Sequence, residues 1–178
     1  MEMCEVIHNA QPPIHNKWFP PAGWTMCNTD VVIGETFSVG AAVFRNEKGV
    51  VLNISTKKLQ YSEPLAGEVA AINWGAEVAV SLNYNNVIFQ SDSKGTIEAI
   101  TTDHSMIKDL NHNIQPLVQR FHTIAHRMEL WEATWVPRSL NGVADFVAHL
   151  AIQSGQFGTI ELTNFVSSLP TLEANGNP

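Results

Sequence analysis

The chain has 178 residues, 44% of them hydrophobic, and a formal net charge of −7, which suits one packed core and leaves no room for a second domain. The acidic balance excludes binding through a broad basic surface but is compatible with a local basic groove. Cys4 and Cys27 are the only cysteines, too few for a disulfide framework, and they point to a reducing, intracellular compartment. Residues 1–15 lack the apolar core of a secretory signal and no apolar run reaches membrane-spanning length, so the chain reads as soluble.

Residues 1–22, with Pro12, Pro13, Pro20 and Pro21, read as an extended N-terminal arm, 23–155 as the folded domain and 156–178 as a flexible C-terminal tail. Residues 25–33 suit a strand, and 38–45 with 50–57 suit a hairpin turning at Asn46, Glu47, Lys48 and Gly49. Pro64 suits a helix start, and Leu65, Val69, Ile72, Ala76 and Val80 then form one apolar stripe. Trp74 and Val78 fall off that stripe, so this helix is expected to be buried on more than one side. Residues 87–90 read as a short strand of the buried, parallel kind, followed by helices over 93–100 and, despite Pro116, over 111–122.

Residues 128–136 alternate, with Trp131, Ala133 and Trp135 on one side, and the two tryptophans read as core rather than as a stacking platform. Asn141 suits the cap of a last helix whose inner side is Val143, Val147, Leu150 and Ala151. Strands, a helix, a strand, helices, a strand and a helix make an α/β fold, a mixed sheet flanked by helices.

Within this frame four carboxylates stand out. Glu68 lies at the edge of the apolar stripe, and no Lys or Arg lies between Lys58 and Lys94 to pair with it. An ionised carboxylate buried there would need a partner or would take up a proton; the ordinary alternative is that it reaches solvent. Asp92 follows an apolar strand, at the carboxyl edge of the sheet, where catalytic groups often sit; an N-cap for the next helix is the alternative. Asp30 lies on a strand, where Asp is depleted. Asp145, in the first turn of the last helix, would be unremarkable alone.

Together the four hard oxygen donors suit two Mg²⁺ ions, with Mn²⁺ as a substitute. Such a pair, roughly 3.5–4 Å apart, can activate water and stabilise the leaving oxygen of a phosphoryl displacement. Zinc fits poorly, because His122 and His126 have no local thiolate partner.

The residues Gly23, Trp24, Asn28, Thr29 and Asp30; Val43, Phe44, Arg45 and Asn46; Pro64 to Glu68; Ser91, Asp92, Ser93 and Lys94; and Val136, Pro137, Arg138, Asn141, Ala144 and Asp145 resemble, in order, the type 1 ribonuclease H domain. More closely they are similar to its plant reverse-transcriptase-like version, derived from retroelements. The match runs from about Trp18 to Gln153.

The resemblance implies a five-stranded mixed sheet in the order 3-2-1-4-5 and hydrolysis of the RNA strand of RNA–DNA hybrids. It maps the family carboxylates onto Asp30, Glu68, Asp92 and Asp145. Contacts to the hybrid are expected from Lys57, Lys58, Ser93, Lys94, Arg138 and Asn141, without sequence specificity. Three departures stand out: Trp135 replaces the His that usually precedes Val-Pro-Arg, Val31 replaces the Gly after the first Asp, and Gly67 replaces the Ala before the helical Glu. His149, four residues after Asp145, is the nearest imidazole on that helix. The loss of the helper His leaves a second reading open, a weak or inactive module that keeps the fold to bind nucleic acid or protein.

Overall fold

The computed structural model describes residues 19–162. The N-terminal arm is therefore seen only from Phe19 on and the C-terminal tail only as far as Leu162, the rest lying outside the described residues.

The elements are β1 (Thr25–Ile33), β2 (Ser38–Arg45), β3 (Val51–Leu59), α1 (Pro64–Ser81), β4 (Asn86–Ser91), α2 (Lys94–Ile100), α3 (Gln115–Ala125), β5 (Leu130–Trp135), α4 (Gly142–Ser154) and β6 (Gly158–Thr159). They form one sheet in the order β5-β4-β1-β2-β3-β6. β1, β2 and β3 pair antiparallel, while β4 runs parallel to both β1 and β5. The first five strands follow the expected order, and β6, added beyond β3, makes the strand count six rather than five. Its two residues pair with Ser55 and Thr56 of β3, and Ile160 N–H donates to Ile54 C=O at 2.8 Å. Ile160 and Leu162 pack against the buried cluster that includes Ile54 and Val147, so apolar residues of the segment expected to be a tail cover part of an otherwise open sheet edge.

Strand alternation splits the core into two layers. On β2, Ala42 and Phe44 join Val69, Ile72, Phe89 and Phe121 under α1 and α3. Ala41 and Val43 face the other way, onto Ala144, Val147 and Ala148 of α4. α1 is buried on several sides, as its off-stripe residues implied. It comes close to β1 because Gly75 lacks a side chain: a methyl there would lie 2.9 Å from Cys27 Sγ. Burial pushes the Cys27 thiol well above its usual pKa, making it a core group rather than a nucleophile.

Pro64 opens α1 and Glu63 caps it, its carboxylate accepting from Leu65 and Ala66 N–H. α3 begins at Gln115 rather than 111, because Pro116 is tolerated in the first turn, where its missing N–H removes no helical bond. A 3₁₀ turn over His104–Asp109 fills part of the interval before it. Among the described residues no helix is long and apolar enough to cross a membrane.

Candidate metal centre

Three carboxylates converge where β1, β4 and α1 meet. Asp30 lies late on the central strand, Asp92 directly follows the parallel neighbour β4, and Glu68 sits in the second turn of α1. One oxygen from each lies within 4.8 Å of the others. Asp92 is not used as a cap, since Ser93 Oγ accepts from Thr96 N–H and caps α2 instead. Asp30 is 5% exposed. Its Oδ1 accepts from Val31 N–H at 2.8 Å, whereas its Oδ2 and Glu68 Oε2 are buried with no hydrogen-bond partner.

Buried oxygens without donors favour the protonated form of their carboxyl groups. Burial, reinforced by the charges of Asp92 and Asp145, pushes Asp30 up to about 7, against the Val31 amide and Arg138, which favour its charged form. Burial also pushes Glu68 up to about 9, with repulsion from Asp30 and Asp92 and a hydrogen bond shared with the Asp30 carboxyl adding to it, against Arg138. The group fits a divalent cation: its donors are hard oxygens, two of them lack any protein donor, and their mutual repulsion is what a cation would relieve.

Asp145 stands beside this triad rather than in it. It accepts from Arg138 Nη2 at 3.2 Å and lies 3.6 Å from His149 Nδ1. The same ring nitrogen is 2.9 Å from the Asp145 carbonyl oxygen. The helical spacing therefore brings His149 to Asp145.

Asn141 is 1% exposed and does not cap α4 through its side chain. Its Nδ2 donates to Thr29 C=O at 2.9 Å, and its Oδ1 accepts from Asn28 Nδ2 at 3.2 Å. Asn28 Nδ2 also lies 3.2 Å from Gln90 Oε1, its register partner on β4. This buried amide chain fastens the start of α4 to the central strands and so fixes where Asp145 stands. Sequence reasoning missed it, although a signal existed: Asn28 and Gln90 are amides in otherwise apolar strands, each two residues before a carboxylate.

The basic residues divide. Lys94 and Arg138 flank the carboxylates, adjacent to Ser93 and Asp145 respectively. Lys57 instead pairs with Glu77 at 3.1 Å and lies over the Trp74 ring. Glu77 follows Glu68 by nine residues on α1, roughly 13 Å along the axis. Lys58 lies over Phe37, 4.3 Å from its centroid.

The core reading holds for Trp131, which is half-buried against Phe121 with ring centroids 5.0 Å apart. It does not hold for Trp135, which is 43% exposed. Trp135 ends β5, an edge strand, and its indole Nε1 donates to Asp92 C=O at 2.9 Å.

A mixed sheet with one carboxylate on its central strand, one on the first helix and one after the fourth strand defines a ribonuclease H-like protein. The chain belongs to the reverse transcriptase-like family, whose model matches residues 28–151. Among solved structures it is similar to RNase H1 from the archaeon Halobacterium salinarum, at 15% identity and a TM-score of 0.65, covering 74% of this chain and 98% of that one. The N-terminal RNase H domain of a Mycobacterium tuberculosis protein, solved as a fusion, matches at 20% identity and a TM-score of 0.61, covering 75% and 99%. LC11-RNase H1, solved in complex with an RNA/DNA hybrid, matches at 16% identity and a TM-score of 0.64, covering 74% and 98%. At these identities the likeness speaks to the fold. No curated protein matches the chain.

Proposed function

We propose that this chain is a divalent-metal-dependent endonuclease that hydrolyses the RNA strand of RNA–DNA hybrids without reading sequence. The observation that carries the reading is the pair of buried, partnerless oxygens, Asp30 Oδ2 and Glu68 Oε2, within a carboxylate triad of a reverse transcriptase-like chain. Asp30, Glu68 and Asp92 hold the cation site, and Asp145 adds a fourth charge from α4. Two Mg²⁺ ions, or Mn²⁺ in their place, would supply charge neutralisation at the scissile phosphate and a water of lowered pKa.

The remaining roles belong to the chain itself. Lys94 and Arg138 meet backbone phosphates, Ser93 and nearby amides orient the strand, and the 2′-OH groups mark the RNA. Asn141 acts from inside, by holding α4 in place. Lys57 and Lys58 lie farther along the surface and contribute to affinity rather than to chemistry. Trp135 offers no titrating group where the family has a His, and general acid–base assistance typically contributes ~10² to 10⁴-fold. Turnover is accordingly slow but present.

The experiment is incubation of purified protein with a labelled hybrid, duplex DNA and duplex RNA, each with Mg²⁺, Mn²⁺ or chelator. Internal, metal-dependent cuts in the RNA strand of the hybrid alone support the proposal. Tight hybrid binding with no cuts under any metal would favour the non-catalytic module that Trp135 suggests.

A further inference from the structure

Trp135 makes two contacts that the loss of a His does not explain. Its indole N–H donates to the carbonyl of Asp92 at 2.9 Å, and Lys94 Nζ lies over its ring, 4.7 Å from the centroid. Asp92 lies in the short turn between β4 and α2 and is itself one of the clustered carboxylates, and Lys94 is the first residue of α2, two positions on. The parallel register pairs Trp135 with Ser91, and Val136 N–H donates to Ser91 C=O at 3.0 Å. β5 is thereby fixed alongside the point where Asp92 leaves the sheet. The indole spans the remaining gap and reaches a carbonyl that lies beyond the β4 ladder. At 43% exposure this side chain is one of the most open large apolar groups described, so core packing does not account for it; Trp131 fills that role on the same strand.

We propose that Trp135 is a positioning residue with two separable roles: its N–H holds the Asp92 backbone so that the carboxylate faces Asp30 and Glu68, and its ring holds the Lys94 ammonium where a substrate phosphate arrives. The inference rests on the nuclease reading above, because it takes Asp92 as a metal ligand and Lys94 as a phosphate contact. An indole does both at once, as a neutral donor at its edge and an electron-rich face for a cation. A phenyl ring keeps only the face. An aliphatic side chain keeps neither.

The test uses the whole chain and two binding measurements that need no turnover: Mn²⁺ affinity of the apo protein, followed by the free-Mn²⁺ paramagnetic resonance signal, and affinity for a fluorescent RNA–DNA hybrid in chelator. Trp135→Phe is expected to weaken Mn²⁺ binding by ~5-fold, the equivalent of one lost hydrogen bond, with hybrid affinity unchanged. Trp135→Leu should weaken both. Lys94→Met should weaken hybrid binding alone, lowering the magnitude of its salt slope by about one, and adding Trp135→Leu to it should cost no further hybrid affinity.

Melting temperatures of the Phe and Leu variants separate positioning from general destabilisation, since loosened packing would lower Tm without splitting the two affinities. Parental Mn²⁺ affinity in Trp135→Phe overturns the backbone role, and parental hybrid affinity in a folded Trp135→Leu overturns the Lys94 role. A Leu variant that fails to fold overturns the assignment of Trp135 as a non-structural group. A parent protein that binds neither Mn²⁺ nor hybrid refutes the nuclease reading itself, before any variant is compared.

Discussion

A methyl group placed on Gly67 would lie 3.3 Å from Val31 Cγ2, so the two residues share one small space between α1 and β1. Both positions depart from the family pattern that the sequence resembles, with Gly after the first Asp and Ala before the helical Glu. Val31 and Gly67 directly adjoin Asp30 and Glu68 in sequence, so this fit sits beside the carboxylate pair.

The shared space predicts coupling. Gly67→Ala gains about 1 kcal/mol in helix propensity but presses on Val31 and on Ile33 Cδ1, 3.0 Å away, at a cost of about 1–3 kcal/mol. The single variant should be neutral to destabilised, and Val31→Ala should relieve it, with a favourable interaction of at least about 0.5 kcal/mol in a urea-unfolding cycle. Strict additivity would contradict the shared space.

Asp92→Asn should lower Mg²⁺-dependent cleavage by ~10²-fold or more, because it removes charge where transition-state charge must be balanced. The same change relieves the repulsion that Asp92 exerts on Asp30 and Glu68. The apo variant should therefore melt at or above the parental temperature, which differential scanning calorimetry would check.

The pH dependence has a definite sign. Folded-state values of about 7 for Asp30 and about 9 for Glu68 lie above those of the unfolded chain, near 4. Their stabilising contribution is full below about pH 4 and is lost as pH rises toward 9, where the folded state must carry repelling charges. Metal-free stability should fall across that window, and Mg²⁺ affinity should rise across it as the competing protons leave. Asp30→Asn combined with Glu68→Gln should flatten the stability curve. A parental curve equally flat in chelator would contradict the buried, mutually repelling state of these groups.

Asn141→Ala should destabilise the fold by about 1–3 kcal/mol, since it strands the Thr29 carbonyl and an Asn28 donor in the interior. Cleavage should also slow, through the displaced start of α4 and Asp145. Stability and single-turnover rate of the variant check the two effects separately.

Much of this was legible in the sequence. Strand and helix periods show which face a residue takes, and for Asp30, Glu68 and Asp92 an acidic group on an apolar element or at a sheet edge was enough to single them out. The order of elements gave a mixed sheet, and the order of its first five strands came only with the family resemblance. Periodicity does not show which distant groups meet. The bond from Trp135 to Asp92 spans 43 residues and that from Asn141 to Thr29 spans 112. Trp135 continues an apolar alternation and reads as core until its place at the end of an edge strand is known. Lys57 and Lys58, adjacent in sequence, meet Glu77 on α1 and Phe37 in the loop before β2, which charge counting does not reveal. β6 is two residues long, too short for any alternation to register.

The most direct measurement is single-turnover cleavage of an RNA–DNA hybrid labelled on its RNA strand, with the parent protein and Asp92→Asn purified side by side in Mg²⁺. The account predicts internal RNA cuts by the parent that vanish with chelator and fall by at least ~10²-fold in the variant. Equal cleavage by the two proteins, or none by a folded, metal-loaded parent, would contradict it.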